Sequence, residues 1–339
     1  MTLDNTNVKS IHTGRDILKD LALQDLRYVV TTMAIPWSIC REQLTGDPLA
    51  VIHADSMERR VVEKQIEAVP DCDLVIAIGG GRAVDLGKYL AFKRGLRLIT
   101  IPTVLSVDAF VTPAAGLREN GRVTYVGNAS PDPLVIDYNI LRTAPPELNI
   151  AGIGDLLSIH TAVFDWQLAA RDGRSEYPFS KQDCEAAVNI LQQLEAKVDA
   201  IRRNQDEGLQ AIVDGYLAMN KICIPASHYR VEEGSEHYLF YELEERTKRS
   251  FIHGPIIGLG IYLLSRLQAN QPDWITNLMD QVGLDYHPKS LELDRKTLKA
   301  SLLNLRSFVE SRDDLWYSII NTIELTPEGV DELMDGLEF

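Results

Sequence analysis

The stretch from Leu74 to Phe92, LVIAIGGGRAVDLGKYLAF, constrains the fold more than any other part of the chain. Leu74 to Ile78 form an apolar run too short for an independent helix and suited to a buried parallel strand. Gly79, Gly80 and Gly81 follow, and without side chains they let a ligand approach the backbone closely. From Arg82 the spacing changes: Val84, Leu86, Leu90 and Phe92, with Ala83 and Ala91, fit a helix that packs one face on a sheet. Strand, glycine turn and helix together present unpaired N–H groups and a positive dipole end to an anion such as a phosphate. An ordinary tight turn needs fewer glycines, so an anion cradle is the expected role.

The flanking segments supply the rest of a sheet. Arg27 to Thr32 and Leu49 to Ile52 read as strands, Met57 to Val69 as an amphipathic surface helix, and Leu96 to Ile101 as a further buried strand ending at Pro102. Arg118 to Asn128, with Asn120-Gly121 at its centre, reads as a β-hairpin, and Leu134 to Asp137 as a last strand. This β/α alternation predicts a parallel, doubly wound sheet. At Thr143–Asp155 the character changes, with Pro145 and Pro146 as punctuation, and helical period prevails afterwards. Helices are expected over Leu156–Ala170, Ser180–Arg202, Glu207–Ile222, Ser235–Lys248, Ile256–Gln268, Trp274–Val282, Arg295–Val309 and Pro327–Leu337. The chain thus divides into an α/β domain over residues 1–147 and an all-helical domain over 148–339. Ligands of such sheets bind beyond the carboxyl ends of the strands, so the cleft between domains is the expected site.

Charge narrows the partners. With 34 Lys and Arg against 49 Asp and Glu, the formal charge of −15 disfavours nucleic acid and anionic membranes, both polyanions. A phosphate-bearing ligand must then be held by local dipoles or a metal. No apolar run approaches the ~20 residues of a membrane span, and MTLDNTNVKSIHTG lacks the apolar core of a signal peptide. Cys40, Cys72, Cys184 and Cys223 are scattered, without a C-x-x-C pair, so no disulfide framework or thiolate metal site is indicated. A cytoplasmic location is expected.

Two groups of residues carry chemistry. After Pro102 the segment TVLSVDAFVTPAAG places Thr103, Ser106, Asp108 and Thr112 beyond a strand's carboxyl end, beside the glycine turn. These residue types also form turns, but the position favours ligand contact. In the second half Asp155 opens a helix, where it would serve as an N-cap, and His160 lies five residues on, off its helix face. His237 and His253 stand on consecutive helical segments, and with one Asp at the domain junction they could converge on a cation. Imidazole and carboxylate donors suit Zn²⁺ or Fe²⁺. A lone histidine is more often a packed or exposed residue than a ligand.

The segments GGGRAVDLGK, IPTVLSVDAFVTP, AGIGDLLSIHTAVFDWQLA and GSEH, with the His253-Gly254 pair, resemble the sn-glycerol-1-phosphate dehydrogenases. These belong to a wider group with iron-containing alcohol dehydrogenases, glycerol dehydrogenases and dehydroquinate synthases. The resemblance implies a Rossmann-like α/β dinucleotide domain followed by an all-α domain, the dehydroquinate synthase-like fold. It implies that Gly80, Gly81, Arg82, Ala83, Val84, Asp85, Thr103, Ser106 and Thr112 contact NAD or NADP, with Asp108 near the substrate. It also implies one divalent metal on Asp155, His237 and His253. Iron-dependent members have a further ligand His four residues after the Asp, where this chain has Ile159, so zinc is preferred over iron.

The expected activity is metal-dependent hydride transfer between NAD(P) and a small polyol, a ketone or their phosphates. A dehydroquinate synthase-like lyase and a non-catalytic nucleotide-binding relative are the alternatives. The chain lacks the Gly-Gly-Lys segment and the ligand Glu of the synthases. Its departures from the glycerol-phosphate pattern are Tyr241, where a substrate-contacting His is usual, and Pro255 after Gly254. Tyr241 is therefore a catalytic candidate that alters the substrate pocket, and Arg246, Lys248 and Arg249 are candidate phosphate binders. No carboxylate lies between Val29 and Trp37 to repel a 2′-phosphate, so NADP should be tolerated. A homo-oligomer is allowed for.

Overall fold

The computed structural model describes residues 6–119 and 122–339. The chain forms two compact units, divided between Asn149 and Ile150.

The first unit is built on a six-stranded parallel sheet. In chain order its elements are β1 (Ile11–Gly14), β2 (Tyr28–Thr32), α1 (Ala34–Cys40), β3 (Ala50–His53), α2 (Arg59–Glu67), β4 (Leu74–Gly79), α3 (Gly81–Arg94) and β5 (Arg97–Pro102). There follow β6 (Ala115–Glu119), β7 (Arg122–Val126), β8 (Pro131–Asp137), α4 (Tyr138–Leu141) and α5 (Pro146–Ala151), the last running across the division. The strand order is β1-β8-β5-β4-β2-β3, and β6 and β7 form a separate antiparallel ribbon. The Asn120-Gly121 turn expected between them lies outside the described residues.

Side-chain alternation distributes the strands between two cores. Val29, Val75, Ala77 and Leu98 pack on one face with Val84, Leu86 and Leu90 of α3 and with Val62 and Ile66 of α2. Tyr28, Val30, Leu74, Ile76, Ile78, Ile99 and Ile101 line the opposite face. Strands buried on both faces read as continuous apolar runs, which is why β4 and β5 stood out in the sequence. β1 did not. Its residues, IHTG, include one apolar side chain and are half-buried or exposed, and it forms the sheet edge only by pairing Ile11–Gly14 with Leu134–Asp137 far along the chain.

The second unit is helical: α6 (Ile153–Arg171), α7 (Lys181–Glu195), α8 (Val198–Arg202), α9 (Asp206–Ala226), α10 (Ser235–Thr247), α11 (His253–Leu267), α12 (Pro272–Val282), α13 (Arg295–Glu310) and α14 (Pro327–Leu333). The expected Ser180–Arg202 helix is broken, with Ala196 and Lys197 standing between α7 and α8. α6 is buried on nearly every side, polar residues included, as a central helix is; it packs against α7, α10 and α11 and buries Trp166 completely. No helix among the described residues is long and apolar enough to cross a membrane.

Candidate metal centre and glycine turn

In the second unit three helices bring together one carboxylate and two imidazoles. Asp155 is the third residue of α6, so it neither opens the helix nor caps it as expected; Gly152 holds the cap position and the helix starts two residues earlier. His237 lies in the first turn of α10 and His253 is the first residue of α11. Ligand atoms from Asp155, His237 and His253 all fall within 4.8 Å of one another. His253 Nε2 is 2.9 Å and His237 Nε2 3.8 Å from Asp155 Oδ1. His160 is elsewhere, its Nε2 2.6 Å from the Asn270 carbonyl.

Close helix contact produces this convergence. A Cβ on Gly254 would lie 1.7 Å from the Ala151 carbonyl oxygen, and one on Gly154 would lie 2.4 Å from Gly254 Cα. The backbones therefore touch at the residues adjoining Asp155 and His253, and any side chain there would force the ligands apart. The face of α6 carrying Asp155, Ser158, Ala162 and Asp165 repeats at helical spacing along the entry to α10. Ser158 Oγ bonds the Glu232 carbonyl at 2.5 Å, and Asp165 Oδ2 accepts from the Ser235 N–H at 2.8 Å. These bonds fix where α10 begins, and hence where His237 projects.

The donor set fits a divalent ion. Ligands about 2.1 Å from a tetrahedral Zn²⁺ stand about 3.4 Å apart, and the two contacts to Asp155 Oδ1 straddle that spacing. Asp155 Oδ1 is buried and has no aligned hydrogen bond, close though His253 is. A buried carboxylate oxygen facing two imidazole nitrogens without such a bond is what a shared cation resolves. Burial opposes ionisation of Asp155, but His253 and His237 outweigh it and hold the carboxyl below its ordinary range. Burial likewise opposes charge on His237, but Glu236, Glu233 and Asp155 push its pKa up to about 9.

Three contributors escaped the sequence. Glu236 Oε1 lies 2.9 Å from His237 Nδ1, and Tyr216 Oη lies 3.3 Å from Asp155 Oδ2 and bonds the Gly152 carbonyl. Glu233 is a carboxylate raised by burial, with His237, His253, Asp155 and Glu236 as its main charged neighbours. A Glu adjoining a ligand His was visible in GSEH; the other two had no local signal. Tyr241 does share the His237 side of α10, with ring centroids 6.3 Å apart. Arg246 closes on Glu242 at 2.6 Å, and Arg249 on Glu292 at 3.0 Å, so two of the three expected phosphate binders hold carboxylates of their own unit, while Lys248 caps the end of α10.

In the first unit β4 ends at Gly79, whose φ of +148° is open to glycine and strained for any other residue. Gly80 caps α3 in an extended conformation. Val84 N–H bonds the Gly80 carbonyl, whereas those of Gly81, Arg82 and Ala83 precede the first intrahelical bond and point out of the helix start. Ala83 and Val84 are buried side chains, so any ligand contact from Ala83 is through its backbone. Thr103 N–H bonds the Gly79 carbonyl at 3.1 Å, setting the loop with Ser106 and Asp108 beside the turn. Asp85 and Thr112 are held inward: Lys88 Nζ is 2.8 Å from Asp85 and 3.4 Å from Thr112 Oγ1. Burial raises the Asp85 pKa, opposed by Lys88.

A parallel sheet with a glycine turn, followed by a helical unit with an Asp-His-His cluster, defines a class of two-part proteins. The iron-containing alcohol dehydrogenase family matches residues 20–145. The chain is 27% identical over 273 residues to a glycerol-1-phosphate dehydrogenase [NAD(P)+] of Thermococcus kodakarensis, covering 80% of this chain and 76% of that one. It is 25% identical over 331 residues to the enzyme of that name from Hyperthermus butylicus, covering 96% and 93%. Its fold matches the glycerol dehydrogenase of Schizosaccharomyces pombe with a TM-score of 0.73 at 19% identity, over 96% of this chain and 88% of that one. The chain resembles the glycerol-1-phosphate dehydrogenases in sequence, and its fold is that of the glycerol and iron-containing alcohol dehydrogenases.

Proposed function

We propose that this chain is a metal-dependent, NAD(P)-linked alcohol dehydrogenase acting on a small polyol or polyol phosphate and the corresponding ketone. The observation that carries the reading is the convergence of Asp155, His237 and His253 on one point in the helical unit. These residues would hold one divalent ion, with zinc favoured because the position four residues after Asp155 is the buried Ile159. Such an ion supplies Lewis-acid polarisation of a carbonyl or alcohol oxygen, and a nicotinamide supplies the hydride.

The remaining roles belong to the chain. The N–H groups of Gly81, Arg82 and Ala83 and the dipole of α3 would receive the pyrophosphate, and Thr103 and Ser106 would line the same turn. Asp85 and Thr112 would act through Lys88 rather than by direct contact, because both are held to it. Asp108 would orient the substrate. Tyr241, four residues beyond His237, would donate its phenolic O–H to a substrate oxygen without adding positive charge. That exchange, with Arg246 and Arg249 engaged elsewhere, supports an uncharged polyol over its phosphate.

The test is oxidation of NADH and NADPH by the zinc-loaded protein with a panel of small ketones and their phosphates. Turnover of one panel member, abolished by a chelator and restored by zinc, is expected. Nucleotide binding without oxidation of either cofactor across the panel would overturn the reading.

A further inference from the structure

Glu236 adjoins the metal cluster without belonging to it. Its side chain is fully buried. Oε1 accepts the Gly234 N–H at 2.6 Å and stands 2.9 Å from His237 Nδ1. Oε1 is already an acceptor of the Gly234 N–H, so at this contact the imidazole donates from Nδ1. In the neutral ring this leaves the lone pair on Nε2, the atom turned toward Asp155. The ring is therefore held in both protonation pattern and direction by a group that cannot itself reach the ligand point.

The carboxylate is held firmly in turn. α11 lies against it, because a Cβ on Gly260 would come within 2.7 Å of the Glu236 carbonyl and 2.9 Å of its Cα. On the side of α6, Glu236 Oε2 and Asp165 Oδ2 lie 3.0 and 2.9 Å from the point a Gly234 Cβ would occupy. Asp165 is anchored by the N–H groups of Ser235 and Ile319, both at 2.8 Å. Glu236 Oε2 has no hydrogen-bond partner, which leaves Oε1 as the atom through which the side chain acts.

We infer that Glu236 is a positioning residue that presets the tautomer and orientation of His237 for metal capture. The inference rests on the proposed metal site, and a carboxylate or carbonyl behind a ligand histidine typically changes metal affinity about 10–100-fold. The adjacency of Glu and His in the sequence makes the device local to one turn of helix. It would set how long the ion stays, independently of any substrate.

The test compares the wild-type protein with Glu236→Gln and Glu236→Leu, each loaded with zinc. Zinc dissociation into an excess of chelator is timed, and ¹⁵N-histidine spectra record the His237 Nδ1–H. Gln keeps the Oε1 acceptor, so dissociation within about threefold of wild type and a retained N–H signal are expected. Leu removes it, so dissociation about 10–100-fold faster and loss of the protected signal are expected. Thermal unfolding of the metal-free forms separates this from a general loss of fold. A wild type that takes up zinc, with Leu dissociating at the wild-type rate, overturns the inference alone. So does a Gln variant as fast as Leu, which would make the negative charge, not the acceptor geometry, the cause. A wild type that takes up no zinc overturns the site and the inference together.

Discussion

The two candidate sites are made in opposite ways. The glycine turn of the first unit is contiguous, running from Gly79 to Ala83, and works through backbone conformation and N–H groups. The cluster of the second unit takes one side chain from each of three helices, and backbone enters through the contacts of Gly254 with Gly154 and Ala151 that let the helices touch. A contiguous backbone site depends on local conformation; a dispersed side-chain site depends on how helices pack. The first should fail through strain and the second through displacement.

The largest effect should come from Gly254→Ala. The added methyl would overlap the Ala151 carbonyl at 1.7 Å, so the end of α5, which leads into α6, must move away from α11. Such overpacking costs about 1–3 kcal/mol or more, and metal content should fall to near zero while the first unit still binds nucleotide. Calorimetric titration with NADH alongside metal analysis reads both; full metal retention would break the packing half of the contrast.

Gly79→Ala tests the other half. It places a side chain at φ +148° and 2.7 Å from Ala83 Cβ. The strain should weaken NADH binding at least tenfold, with zinc uptake unchanged. Equal loss of both would show that the two sites do not fail separately.

Legibility in the sequence follows the same division. The glycine turn was readable because Leu74–Ile78, three glycines and a change of period lie within one stretch. β4, β5 and β8 were readable because burial on both faces leaves continuous apolar runs. β1 was not, because IHTG becomes a strand only through its partner Leu134–Asp137. In the second unit the residues alone left Asp155, His237 and His253 as one option among several. The family resemblance grouped them, since spacing across separate helices carries no information about packing. Asp155 was misread as a cap because Gly154 suggested a helix start, whereas the glycine serves the contact with α11. Glu233 and Tyr216 carry no local signal at all.

Asp165 sharpens the contrast from within the helical unit. Burial, then the charge on Glu236, raises its pKa to about 6 from an ordinary 3.8. The native state therefore holds a proton that the unfolded chain has released across about pH 4 to 6, so stability falls as pH rises through that window. The effect is on the order of 2–3 kcal/mol. Asp165→Asn removes the titration but also one acceptor, so it should destabilise more at pH 4 than at pH 7. Urea unfolding at both values checks this; a destabilisation independent of pH would contradict it.

The smallest effect concerns substrate choice. Tyr241→His adds a group able to carry charge on the face shared with His237. Reduction of dihydroxyacetone phosphate should improve roughly tenfold in kcat/KM, about 1.4 kcal/mol, while that of the uncharged substrate falls. A wild type already efficient with the phosphate, and impaired by the substitution, would return the pocket to the ordinary glycerol-phosphate pattern.

The most direct test of the account is elemental analysis of purified protein, wild type beside His253→Ala. His253 is part-exposed at the start of α11, so its truncation should leave the fold standing while removing one of three donors. The account predicts about one zinc per chain in the wild type and far less in the variant, with NADH still bound to both. Equal metal content in the two proteins, near one per chain, would contradict it.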